Sequence, residues 1–177
     1  SLEQYDEALT ILRNLYEQMP ENSKVLFYIG LIYYQKKNYE SATTYLQKAI
    51  QHDNNSFEAH KYLGNISFLR GNYQESIECY NKALDINPNY ADGYNNLGNA
   101  YNNLENFDKA RDCFQKTIDL DQNIPEAHLG LGYYLEYKND FEKAIEEYKI
   151  YLKLHPKAEN KKDILEKINK LKPLAKM

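Results

Sequence analysis

Much that would announce a chemistry is absent from this chain. Of its 177 residues only two are cysteine, Cys79 and Cys113, too few for a disulfide-stapled framework. They stand 113−79 = 34 residues apart, on equivalent helix positions roughly 8–10 Å from one another, beyond disulfide reach. Reduced thiols are expected, in keeping with a cytoplasmic setting. The four histidines, His52, His60, His128 and His155, show no metal-ligand spacing and no cysteine companion; His60 and His128 share a column and read as packing residues. No glycine-rich phosphate loop, nucleophile elbow or zinc-protease helix is present, so no catalysis and no cofactor or metal are expected. The longest apolar run, residues 26–34, is far too short to span a bilayer, and no charged-then-apolar leader opens the sequence. A net charge of −4 argues against sequence-independent nucleic-acid binding.

What is present is a period. Gly30, Gly64, Gly98 and Gly132 are separated by 64−30, 98−64 and 132−98, each equal to 34, a spacing that marks a stacked repeat. An aromatic recurs at Tyr5, Tyr39, Tyr73, Phe107 and Phe141, with a small residue three places on at Ala8, Ala42, Ser76, Ala110 and Ala144. A large apolar residue follows at Leu12, Leu46, Tyr80, Phe114 and Tyr148. Within residues 91–124, Tyr94, Leu97, Gly98 and Tyr101 fall on one face of a helix A. Phe107, Ala110, Phe114, Thr117 and Ile118 mark the inner face of a helix B. Asn38, Asn72, Asn106 and Asp140 occupy its N-cap column. Gly98 and Ala110 lack bulk because two helices joined by a short turn approach closely only where no side chain intervenes.

These columns resemble the tetratricopeptide repeat (TPR): a large residue, Leu-Gly, Tyr, Ala, an aromatic, Ala and Pro, matched best by Tyr94, Leu97, Gly98, Tyr101, Ala110 and Phe114. The resemblance covers nearly the whole chain. It implies an all-α, right-handed α-solenoid of stacked antiparallel helix pairs with a C-terminal capping helix. Residues 1–19 align with helix B of a partial N-terminal repeat, read as cut from a longer protein, with Leu2, Leu9, Leu12 and Leu15 wanting a neighbour. Full repeats are expected at 23–56, 57–90, 91–124 and 125–158, and a capping helix at 159–172 with an apolar stripe of Ile164, Leu165, Ile168 and Leu171. The lysines between Lys157 and Met177 read as a solvated face, and the last few residues as frayed.

If positions 4, 7, 8 and 11 of helix A pack inward, positions 2, 5, 9 and 12 form the opposite stripe. In the family that stripe is the concave groove, which receives an extended peptide or a partner's helix. Here it runs Lys24, Phe27, Leu31, Tyr34; Glu58, Lys61, Asn65, Phe68; Asp92, Asn95, Asn99, Asn102; and Glu126, Leu129, Tyr133, Glu136, with Asn96 on its border. Asparagine amides both donate and accept, so Asn65, Asn95, Asn96 and Asn99 suit a partner's backbone. Phe27, Leu31, Tyr34 and Phe68 suit an apolar side chain; Tyr133 and Lys61 complete the candidate set. The competing reading is that asparagine-rich surfaces reflect base composition and bind nothing.

The expected function is therefore a non-catalytic module binding a protein or peptide partner, with no small-molecule substrate. Two alternatives stand beside it. One is the targeting arm of a larger enzyme, since the asparagine row is similar to the ladder in the helical region of O-linked N-acetylglucosamine transferases. The other is a scaffold that self-associates through an exposed N-terminal helix. Lys61, Asn65 and Asn96 also match three positions of the carboxylate clamp of heat-shock co-chaperones, but Glu126 and Gly130 stand where that clamp is basic. Calorimetry with an acidic C-terminal chaperone peptide should accordingly show no appreciable binding; micromolar affinity would contradict this.

Overall fold

A computed structural model describes residues 2–176. Ser1, Met177 and the side chains of Leu2, Glu3 and Lys176 lie outside that description, and with them the readings of Leu2 as apolar and of the last residue as frayed. The chain divides at Pro88 into two compact units. Among the described residues there are ten α-helices and no strand. The first unit holds α1 (Leu2–Gln18), α2 (Ser23–Gln35), α3 (Tyr39–His52), α4 (Phe57–Leu69) and α5 (Tyr73–Ile86). The second holds α6 (Ala91–Asn103), α7 (Phe107–Leu120), α8 (Pro125–Tyr137), α9 (Phe141–Leu154) and α10 (Lys161–Leu171), then one 3-10 turn, Leu174–Lys176.

Each A-to-B turn uses one device. The residue after the C-cap of helix A is left-handed: Lys37 (φ 58°), Gly71 (φ 80°), Glu105 (φ 58°) and Asn139 (φ 63°). That turns the next amide back on the helix, so Asn38 N–H reaches the Tyr33 carbonyl at 2.9 Å and Lys37 N–H the Tyr34 carbonyl at 2.9 Å, satisfying carbonyls the helix end leaves open. Asn72, Asn106 and Asp140 repeat the longer bond, to Ser67, Tyr101 and Leu135. The same four residues then open helix B as its N-cap. Asn38 Oδ1 accepts from Ser41 N–H at 3.1 Å and Asp140 Oδ1 from Lys143 N–H at 3.4 Å. Asn72 and Asn106 make no such side-chain bond; the Asn72 amide donates instead to Glu75, at 3.3 Å.

Helix pairs close on glycine. A Cβ built at Gly64 would fall 2.6 Å from the Tyr80 ring, at Gly98 2.7 Å from Phe114, at Gly132 2.6 Å from Tyr148, and at Gly30 2.9 Å from Leu46. Those partners are at most 2% exposed, so each B helix sets its largest core residue directly on the backbone of its A helix. The ends differ. In the first unit α1 puts Leu9 against Val25, Ile29 and Ile32 of α2 and leaves Ile11 62% exposed. In the second, Ile164, Ile168 and Leu171 of α10 join Ile145, Tyr148 and Tyr151 of α9. Leu165, expected on that apolar stripe, is instead exposed: it sits one residue past Ile164, about 100° round the helix.

Gly98→Leu should lower the melting temperature by roughly 2–12 °C, as overpacking of about 1–3 kcal/mol implies for a chain of this size; an unchanged melt would count against the contact. Glu105→Gly, at a left-handed position, should raise it by about 2–4 °C, and a lower melt would contradict the strain assigned to the turn.

Candidate functional site

In the first unit the expected stripe lies on α2 and α4. Phe27, Leu31 and Tyr34 are half-buried. The Phe27 ring is 6.0 Å from Tyr62 and 5.4 Å from Tyr28, and Tyr34 meets Tyr62 edge-on at 5.0 Å, forming a small aromatic bed. Lys61 carries its ammonium 4.4 Å from the centre of the Tyr62 ring, a cation–π contact. Phe68 packs edge-on to Tyr73 at 5.3 Å. Beside Phe27 a cleft of about 260 Å³ opens between Lys24, Tyr28, Asp53, Asn55 and Glu58.

Asn65 behaves differently from the ligand-facing amide expected of it. Its Oδ1 accepts a 2.8 Å bond from the buried Tyr80 hydroxyl, and it also shares a hydrogen bond with Tyr34. Burial raises the Tyr34 pKa, and the Asn65 bond opposes that rise. Asn65 therefore ties α2 and α5 to α4 from within the stripe. Nothing in its own sequence position signals this, because it depends on two tyrosines from other helices meeting it.

In the second unit the stripe lies on α6 and α8. Asn95 is 8% exposed, and its buried Oδ1 has no partner among the described residues. Phe27, Lys61 and Leu129, in the same column, are half-buried: the position borders the packed side, and only a longer side chain reaches out of it. Asn96 and Asn99 are half-buried; Asn96 already has a partner. Tyr133 is 42% exposed, edge-on to Tyr148 at 5.6 Å, with the Lys167 ammonium 5.4 Å from its centre. Lys167, from α10, also donates to Glu136 at 2.9 Å, and Glu136 accepts from Tyr148 at 2.6 Å. Burial first, then that carboxylate, pushes the Tyr148 hydroxyl far above the usual phenol range. The capping helix thus holds down the end of the α8 stripe.

Between α6, α7 and α8 lies an aromatic slot of about 100 Å³, walled by Phe107, Tyr133, Tyr134 and Tyr137, with Asn102 at its edge and Phe114 and Gly130 beneath. At its base Gly130 lets the Phe114 ring lie against the backbone of α8: a Cβ there would meet the ring at 2.5 Å. Tyr137, 62% exposed and 5.1 Å from Phe107, was not among the residues the stripe pattern selects. It stands at position 13 of its helix, next to position 12; an exposed aromatic beside the stripe was the available signal.

Cys79 and Cys113 are free thiols, pushed up by burial to about 11 and about 12; so protonated, they are poor nucleophiles. Among the described residues no three His, Cys, Asp or Glu side chains gather as a metal would need, and no helix is long and apolar enough to cross a membrane.

Comparison with known proteins agrees with the geometry. Sequence profiles described as tetratricopeptide repeat match residues 91–124 and 126–158, one described as TPR repeat matches residues 64–105, and that of anaphase-promoting complex, cyclosome, subunit 3 matches residues 1–83. No curated protein matches the sequence. Among solved structures, MamA is 27% identical over 86% of this chain and 90% of its own, with a TM-score of 0.78. Pseudomonas aeruginosa pilF is 17% identical over 98% and 80%, with a TM-score of 0.85. YrrB, described as a TPR protein with an unusual peptide-binding site, is 20% identical over 93% and 95%, with a TM-score of 0.75; these last two likenesses speak to the fold alone. With repeat profiles along the chain, four helix pairs at a 34-residue period among the described residues and such neighbours, the chain is an all-α solenoid belonging to the tetratricopeptide-repeat family, whose fold serves protein interaction.

Proposed function

We propose that the chain is a non-catalytic interaction module whose A-helix faces hold an extended segment of a partner protein. The observation that carries this reading is the slot under Tyr133 and Tyr137: it is aromatic, it is open to solvent, and it lies beside the asparagines of α6. An apolar side chain fits a space of that size, while Asn99 and Asn102 offer both a donor and an acceptor to the backbone that carries it. In the first unit the bed of Phe27, Tyr34 and Tyr62 offers a second apolar seat, although Asn65 serves mainly to fix that bed in place. The fold is one that in YrrB carries a peptide-binding site, which is compatible with the reading.

The test uses peptides selected on the intact chain from a display library. Asn99→Ala with Tyr137→Ala, both at the surface of α6 and α8, should leave helicity intact and weaken the selected peptides by roughly 10- to 100-fold, the loss expected for one backbone hydrogen bond and one aromatic anchor. Unaltered affinities would move the binding surface off the A helices.

A further inference from the structure

Opposite the Lys61–Asn65 side of α4, the first unit contains a cleft of about 400 Å³. Its floor is His60, Leu63 and Ser67 of α4; one wall is α3, with Thr43 and Ile50, and the other is α5, with Cys79 and Lys82. The second unit holds the same three-helix arrangement in α7, α8 and α9, displaced by 128−60 = 68 residues, two periods. There the place is filled by the His128–Glu147 pair.

His128, the counterpart of His60, is 4% exposed. Its Nδ1 lies 2.6 Å from Glu147 Oε2 and its Nε2 2.9 Å from the Gln122 carbonyl oxygen. Both neighbours are acceptors, so this arrangement is satisfied when both ring nitrogens carry a proton. In the first unit, 122−68 = 54 and 147−68 = 79: Asn54 stands for Gln122, and Cys79 stands for Glu147. The backbone bond is kept, since His60 is hydrogen-bonded to the Asn54 main chain. The carboxylate is not. Two further fillers shrink as well, because Leu135 becomes Ser67 and Arg111, which in the second unit lies over the Tyr134 ring at 5.7 Å, becomes Thr43. His60 is 9% exposed and among the described residues makes no side-chain–side-chain hydrogen bond.

We propose that the cleft over His60 is a carboxylate-binding site, which takes from a partner protein the glutamate or aspartate side chain that Glu147 supplies internally in the second unit. Ile50, Leu63 and Ile66 give the remainder of the bound segment an apolar surface. Around the imidazole, α3 offers only uncharged groups, α4 adds Arg70, and α5 adds Lys82 and Cys79 with Glu75 and Glu78. The two cations lie at the rim with the two acids, so the rim is neutral and discrimination rests with His60. Burial, then Lys82, lowers the His60 pKa, so in the empty site the ring is neutral near pH 7. An arriving carboxylate must bring a proton with it. Binding therefore strengthens as pH falls and weakens as pH rises, the sign expected when a bound group has the higher pKa. The site differs from the co-chaperone clamp in face, residues and this proton linkage.

The experiment follows the His60 imidazole by NMR in the intact chain, titrated with a glutamate hexapeptide, its glutamine counterpart and glutarate. At about pH 5.5 the glutamate peptide should shift the His60 signal saturably and at least tenfold more tightly than the glutamine peptide, and its binding should weaken towards about pH 8. Glutarate should bind at least tenfold more weakly than the glutamate peptide; tighter glutarate binding overturns the protein source of the carboxylate. Cys79→Glu should rebuild the internal pair, raise the pKa of His60 and abolish the peptide response, with unchanged helicity as the folding check. Equal shifts from the glutamate and glutamine peptides, no shift from any probe, or an undiminished response in Cys79→Glu would each overturn the proposal.

Discussion

Everything else in the structure depends on the contact between a bare glycine backbone and the large side chain that lies on it. At Gly64, Gly98 and Gly132 that side chain is an aromatic ring, and at Gly30 it is Leu46. With no Cβ on the A helix, the B helix approaches until its largest residue touches main chain, and dispersion across that flat contact is gained along the whole ring. The consequence is a division of labour around helix A. One side is fully occupied by its B helix; the opposite stripe is only partly engaged, through residues such as Asn65 and Glu136, and is freer to vary. Asparagine, poor at building cores, accumulates there on α6 at little cost.

The glycine column was legible as a 34-residue period, but its partner was not: a crossing with the small Ala110 is expected from the sequence, whereas the residue lying on each glycine is the large one sixteen places on (46−30, 80−64, 114−98, 148−132). The turns were less legible. Gly71 and Asn139 are of types that take a left-handed conformation readily; Lys37 and Glu105 adopt it because the amides that follow must return to the helix, and a local necessity overrides their preference. Still less legible were the roles of individual amides. Asn65 and Asn99 share a column, yet Asn65 is bound by Tyr80, whereas the residue one period on from Tyr80, Phe114, has no hydroxyl to offer. What an amide does in a repeat is set by the side chains of neighbouring helices, which its own column does not reveal.

The same reasoning explains how repeats of one design acquire different surfaces. The Glu147–His128 pair and the Lys167–Glu136 bridge fill parts of the second unit, and Cys79, Ser67 and Thr43 leave the corresponding part of the first unit open. Substitutions of this kind leave the glycine contacts untouched, so binding surfaces can change while the fold persists. Gly130, outside the 34-residue glycine column, lets the other edge of Phe114 lie against α8 at the base of the aromatic slot beneath Tyr137.

On the proposal above, the A helices receive the partner on the side turned away from their B helices. Hydrogen–deuterium exchange of the intact chain, with and without a selected peptide, tests it directly. The account predicts slowed exchange at the exposed ends of α6 and α8, with α7 and α9 unchanged; protection confined to the B helices would contradict it.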